Sequence, residues 1–124
     1  MNIYKNKVFD KWATKEGIDN EILLKAIKEI ESGLFDANLG GNIVKKRVAV
    51  GGRGKSGGVR TLLAYQFGNK AFFVYGFAKN VRANIKEDEL KALKLYANTL
   101  LGYSDKELTK AVQAGVLFEI KNNG

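Results

Sequence analysis

Residues 59–79 read "VRTLLAYQFGNKAFFVYGFAK", and the fold turns on how this stretch is paired. The runs "VRTLLAYQF" (59–67) and "KAFFVYGFAK" (70–79) are rich in β-branched and aromatic residues, with Gly68-Asn69 between them. Two such runs joined by Gly-Asn predict a β-hairpin. A two-residue turn pairs Phe67 with Lys70 and sets Arg60 opposite Phe77. Tyr75, Phe77 and Lys79 then share the face of Arg60, because residues two apart in a strand point the same way. A slip of one residue would separate Arg60 from Lys79.

Upstream, "NIVKKRVAV" (42–50) alternates and predicts another strand. Val44, Lys46, Val48 and Val50 point one way; Ile43, Lys45, Arg47 and Ala49 point the other. Earlier still the period is helical. Phe9, Trp12 and Ala13 share one face of a short helix over about 7–15. Asp19 is placed to cap a second helix, whose stripe is Ile22, Leu23, Ala26, Ile27 and Ile30 and whose stop is Gly33. Downstream the helical period returns. Asn84 with Glu87 predicts a capping box before Leu90, Leu93, Ala97, Leu100 and Leu101, and Gly102 ends that helix. Ser104 with Glu107 predicts a second box, Gly115 a second stop, and "VLFEI" a last strand. The expected order is α-α-β-β-β-α-α-β. This is an α+β fold, an antiparallel sheet packed against N-terminal and C-terminal helices, in one domain over 1–124.

The chain has no cysteine and no histidine. Disulfides, thiol chemistry and zinc sites built on Cys or His are excluded, and so is the usual acid/base of neutral pH. Catalysis would rest on Lys, Arg, Asp, Glu, Tyr or Ser. No metal or cofactor is expected. With no long apolar run and no secretory signal at "MNIYKNKVFDKW", a cytoplasmic protein without membrane contact is expected.

The net charge is +8, and its distribution is uneven. Residues 1–36 and 87–124 each sum to −1, whereas residues 37–86 carry ten basic residues and no acid. A surface that needs only solubility mixes the signs. An acid-free basic segment predicts a site for a polyanion.

Within it, "AVGGRGKSGGVRT" (49–61) satisfies the loose spacing of a phosphate-binding loop. Such a loop requires a helix directly after the Gly-Lys-Ser and a later Asp for magnesium. Here Gly57-Gly58 leads into a β run instead, and the segment has no acid. The glycines allow the loop to mould to a nucleic-acid backbone, with Arg53 and Lys55 meeting phosphates.

The segment "GRGKSGGVR" followed by "YGFAKN", together with "KKR" at 45–47, resembles the RelE/HigB superfamily of bacterial type II toxins. The resemblance covers nearly the whole chain. It implies an mRNA endoribonuclease acting on the translating ribosome, held inactive by a cognate antitoxin, typically a helix-turn-helix protein. Matching positions place the paired basic residues of the first family strand on Lys45 and Arg47. The second-strand arginine falls on Arg60 and the basic residue ending the third strand on Lys79, with Asn80 where some members carry another arginine. Where some relatives carry a Tyr or His beyond this point, this chain has Arg82, Asn84 and Ile85, so the general acid has no assigned residue. Lys46, Arg53, Lys55 and Arg82 are expected to bind RNA. A non-catalytic nucleic-acid-binding module, or a toxin of the same fold aimed at DNA gyrase, are the alternatives.

RNA can be cut without metal or water when the 2′-OH attacks the adjacent phosphorus. The products are a 2′,3′-cyclic phosphate and a 5′-OH. The step needs a base, stabilisation of the phosphorane and help for the leaving oxygen. The expected base is Lys45, crowded by Lys46 and Arg47. Arg60 suits the phosphorane, because a guanidinium stays charged and can bind two oxygens. Lys79 is expected to protonate the leaving group or hold phosphate.

Overall fold

The computed structural model describes residues 1–50 and 58–121. In chain order the elements are β1 (Asn2–Asn6), α1 (Lys7–Glu16), α2 (Asn20–Glu31), β2 (Ala37–Gly40), β3 (Ile43–Val48) and β4 (Val59–Gln66). There follow β5 (Lys70–Ala78), α3 (Glu87–Leu101), α4 (Asp105–Gln113) and β6 (Leu117–Ile120). Among the described residues the strands form one sheet in the order β2-β3-β4-β5-β1-β6. The class is α+β, as expected. The two N-terminal helices cover one face, through Phe9, Ala13, Leu23, Ala26, Ile27 and Ile30. The C-terminal helices cover the other, through Ala97, Leu100 and Leu108.

The expected order lacked two strands. β2 is four residues of "ANLG", which have little β preference; only its pairing with β3 makes it a strand. β1 is five residues, and its partners lie far along the chain. It runs parallel to β5 (Asn2↔Lys70 to Lys5↔Phe73) and antiparallel to β6. The sheet is therefore not purely antiparallel. Nothing local announces a strand whose pairing depends on residues so distant.

The helix ends follow local chemistry. The Asp19 side chain accepts from the backbone N–H of Ile22, and Ser104 with Glu107 forms the expected capping box. α3 starts later than Asn84 predicted. Lys86 holds the N-cap position, and the Glu89 carboxylate accepts from its backbone N–H at 3.0 Å. The Asn84 side chain instead accepts from the N–H of Ile85.

The hairpin differs from the two-residue turn in an instructive way. Gln66, not Phe67, pairs with Lys70, leaving a three-residue loop with Gly68 at φ +70°. The pairing stays one residue off as far as Leu63↔Phe73. A β-bulge then restores it, so that Leu62 faces Tyr75 and Arg60 faces Phe77. Val74 is the extra residue. A bulge leaves its carbonyl outside the regular ladder, and the Asn6 side-chain amide donates to that carbonyl at 3.1 Å. The same side chain accepts from Phe9 N–H at 2.7 Å, capping α1. One buried asparagine thus fixes both a helix start and a strand irregularity.

The bulge decides which side chains face which layer. Before it Phe73 packs toward α1 and α2 and Phe72 toward α3; after it Tyr75 and Phe77 face the α3 side. Gly76 is turned toward α1, where Trp12 lies against it. A Cβ at Gly76 would sit 2.1 Å from the indole ring. The single tryptophan therefore rests directly on the bulged part of β5.

Asn6→Ala should lower stability by about 2–4 kcal/mol, combining a lost helix cap with a buried carbonyl left unpaired. Asn6→Ser keeps a cap acceptor without adding charge and loses the amide donor. Urea titration followed by Trp12 fluorescence should therefore place it between wild type and Asn6→Ala. Equal midpoints for all three proteins would mean that β4 and β5 hold the bulge unaided.

Candidate functional site

Register places the basic residues of β3 and β4 beside the aromatic residues of β5. Arg47 pairs directly with Arg60, and Arg60 with Phe77; in the next row Lys45 pairs with Leu62, and Leu62 with Tyr75. The next rows are apolar and lie beneath α3, with Ile43, Ala64 and Phe72 in the core. The basic rows form the end of this face. Lys45 is half-buried, and the Arg47 side chain is 47% exposed.

Arg60 is the buried member. Its side chain is 10% exposed, and its Nη1 atom has no hydrogen-bond partner among the described residues. A guanidinium held with an open donor is an uncommon arrangement, because such groups are normally satisfied. The anion nearest to it is Asp36. Its Oδ2 lies 3.1 Å from Arg47 Nε and 3.9 Å from Arg60 Nε. Sequence reasoning overlooked Asp36, which stands just before the acid-free segment and was counted with the preceding block.

Two residues expected to contact RNA are engaged within the fold. Lys46 belongs to the opposite face, among Val44 and Val48, and is 4% exposed. Its Nζ pairs with Glu29 at 3.0 Å and donates to the Leu34 carbonyl at 2.8 Å. Strand alternation, already visible in "NIVKKRVAV", puts it there. The crowding of Lys45 by Lys46 also falls away, because neighbours in a strand point to opposite sides.

Arg82 is likewise committed. Its guanidinium grips both oxygens of Glu89, donates to Tyr75 Oη at 3.0 Å and to the Asn84 carbonyl at 3.0 Å, and lies 5.9 Å from the centre of the Phe77 ring. It roofs the aromatic pair Tyr75 and Phe77, whose centroids are 6.1 Å apart. Glu89 belongs to the first turn of α3, one helical turn beyond the acid-free segment.

Strand alternation does not carry to Lys79. β5 ends at Ala78, whose carbonyl accepts from the N–H groups of Val81 and Arg82, and Lys79 and Asn80 are exposed in that turn. Arg53 and Lys55 lie outside the described residues. Among the described residues the chain resumes at Gly58, which bends directly into β4.

Two predictions separate structural from binding roles. Lys46→Ala should destabilise the fold by about 2–4 kcal/mol, since it removes a buried cation that pairs with Glu29 and donates to the Leu34 carbonyl. It should not make the salt dependence of RNA binding shallower; a shallower slope would return Lys46 to the interface. The Arg82 hydrogen bonds hold the Glu89 carboxyl down at about 2, from an ordinary 4.5. A lowered carboxyl pKa favours the fold above the ordinary value and loses that effect as pH falls toward 2. Carbon NMR should find Glu89 titrating near 2 and Arg82→Ala raising it toward the ordinary range, with the Lys86 N–H still holding it below.

No helix among the described residues is long and apolar enough to cross a membrane. Comparison with curated proteins gives no match. A family model described as the RelE toxin of the RelE / RelB toxin-antitoxin system matches residues 1–120. With this match over nearly the whole chain, and an α+β fold whose sheet carries a row of basic residues, the protein belongs to the RelE toxin family.

Proposed function

We propose that the protein is a ribosome-dependent mRNA endoribonuclease, the toxin partner of an antitoxin, and that Arg47 and Arg60, with Lys45 in the adjoining row, form its phosphate-binding and cleaving surface. The observation that carries this reading is the buried Nη1 donor of Arg60, without a hydrogen-bond partner among the described residues and beside a second arginine at the end of a sheet face. A phosphodiester entering there meets Arg60 and Arg47 through its non-bridging oxygens. As the 2′-OH attacks, negative charge grows on those oxygens, and fixed donors favour the phosphorane over the ground state.

Lys45 lies in the adjoining row on the same face and is the residue proposed to take the 2′-OH proton. Lys79, exposed beyond β5, is proposed to supply the proton that leaves on the 5′-oxygen. Alignment of mRNA on the ribosome contributes the rest, because holding nucleophile and phosphorus in line removes much of the barrier without a strong base. Arg53 and Lys55 are proposed as backbone contacts that position RNA without reading its bases. A helix-turn-helix antitoxin is the proposed partner.

Expression without an antitoxin should arrest growth, and primer extension on a cellular mRNA should reveal new 5′ ends on ribosome-bound message. Arg60→Ala should lower cleavage on the order of 10²–10³-fold, the usual cost of a transition-state donor. Growth arrest without new mRNA ends would favour another target for the toxin. Undiminished cleavage by Arg60→Ala would remove that residue from the site.

A further inference from the structure

The Arg47–Arg60 pair raises a question that RNA binding does not answer: what holds two guanidinium groups together when no RNA is present. Like charges directly opposed across an antiparallel ladder destabilise it. Arg60, largely buried, cannot escape into solvent.

We propose that Asp36 is the resting counter-ion of this site, a carboxylate that occupies the place of the RNA phosphate and is displaced when a phosphodiester binds. The inference rests on the reading of Arg47 and Arg60 as a phosphate site, and adds to it the group that governs its occupancy.

Three features make the placement of Asp36 built rather than incidental. Its own backbone N–H donates to the Lys45 carbonyl at 2.9 Å, which ties it to β3 beside the basic row. Two residues earlier, the Leu34 carbonyl is clamped by Lys46, itself held by Glu29. And although the residue as a whole is exposed, the Asp36 side chain is only 18% exposed, turned in toward the arginines. Lys46 thus acts on this site from the far side of the sheet, by fixing the loop that delivers the carboxylate.

The fit is incomplete in an informative way. Oδ2 sits close to Arg47 Nε and at the limit of ion pairing from Arg60 Nε. Arg60 Nη1 is left without a partner among the described residues. A phosphate group presents more oxygens over a wider span than a carboxylate and can satisfy both guanidinium groups. The resting state therefore neutralises the pair without saturating it. Replacing carboxylate by phosphate costs one anion and offers oxygens to both guanidinium groups. Binding to backbone phosphate is thereby weakened relative to an empty site, which favours release of cleaved RNA.

The test is thermal unfolding at pH 7 of wild type, Asp36→Asn and the double variant Asp36→Asn with Arg47→Gln, in sodium chloride and in inorganic phosphate of equal ionic strength. Asp36→Asn should melt below wild type in chloride and gain roughly 5 °C in phosphate, several-fold more than wild type gains. The double variant, with the repulsion removed, should melt above Asp36→Asn in chloride and respond little to phosphate. If Asp36→Asn does not fold in chloride while the double variant does, the proposal stands. Equal phosphate shifts in wild type and Asp36→Asn would overturn it, as would a double variant no more stable than the single, or both variants unfolded. Cleavage assays form a separate arm. Loss of the carboxylate should lower KM for ribosome-bound mRNA and also lower kcat, because product release slows; KM and kcat both unchanged would overturn the proposal. A wild-type protein that cuts no mRNA would defeat the ribonuclease reading, and the melting curves would still decide the role of Asp36.

Discussion

The hydrogen bond from the Asn6 side chain to the Val74 carbonyl is the constraint on which the arrangement of the site depends. Val74 is one residue too many for the β4–β5 ladder, and its insertion exchanges the faces of everything after it on β5. Without it, alternation from Phe73 would carry Tyr75 and Phe77 to the side of α1 and α2 and bring Gly76 to the α3 face. With it, the two aromatic rings stand beside Arg60, and Gly76 receives the indole of Trp12. Asn6 is a suitable holder because an amide offers a donor and an acceptor at once. The donor satisfies the bulge and the acceptor caps α1, so the first helix and the irregular strand are fixed to one another.

The electrostatics show how a charge pattern changes on folding. Along the chain, residues 37–86 contain no acid. In space, among the described residues, three acids from outside that segment fold back upon it: Glu29 onto Lys46, Asp36 onto Arg47 and Arg60, and Glu89 onto Arg82. The pairings are not equivalent. Lys46 is matched within the apolar layer and is structural. Arg82 is matched at the partly buried edge of the fold and covers the aromatic pair. Only at Asp36 is the match partial, with one carboxylate set against two guanidinium groups. Buried charges in proteins are ordinarily paired and hydrogen-bonded, so an under-satisfied pair is where an external anion has most to gain.

The hairpin also illustrates how a sequence argument reaches a correct residue through an incomplete geometry. The expected two-residue turn is a three-residue loop, so the pairing near Lys70 differs by one. The bulge compensates, and Arg60 faces Phe77 as the simple register required. The agreement at Arg60 is the cancellation of two irregularities. Neither has a local signature in "VRTLLAYQFGNKAFFVYGFAK", because the bulge is held by an asparagine near the other end of the chain.

The sequence by itself determined the α+β class, the stripes of α1, α2 and α3, the caps at Asp19 and Ser104, and the alternation that sends Lys45 and Arg47 to one face and Lys46 to the other. These are properties of short range: a period of two or of 3.6, or a side chain reaching the backbone three residues on. It also pointed to the toxin family through the residues around the glycine-rich loop. Tertiary structure alone decided that β1 and β2 are strands, that Val74 is a bulge, that Arg82 belongs to Glu89, and that Asp36 stands between Arg47 and Arg60. Each of these requires groups brought together from separate elements. A strand such as β1 or β2 exists only because its partners supply hydrogen bonds, and a charge has a meaning only once its distance to other charges is fixed.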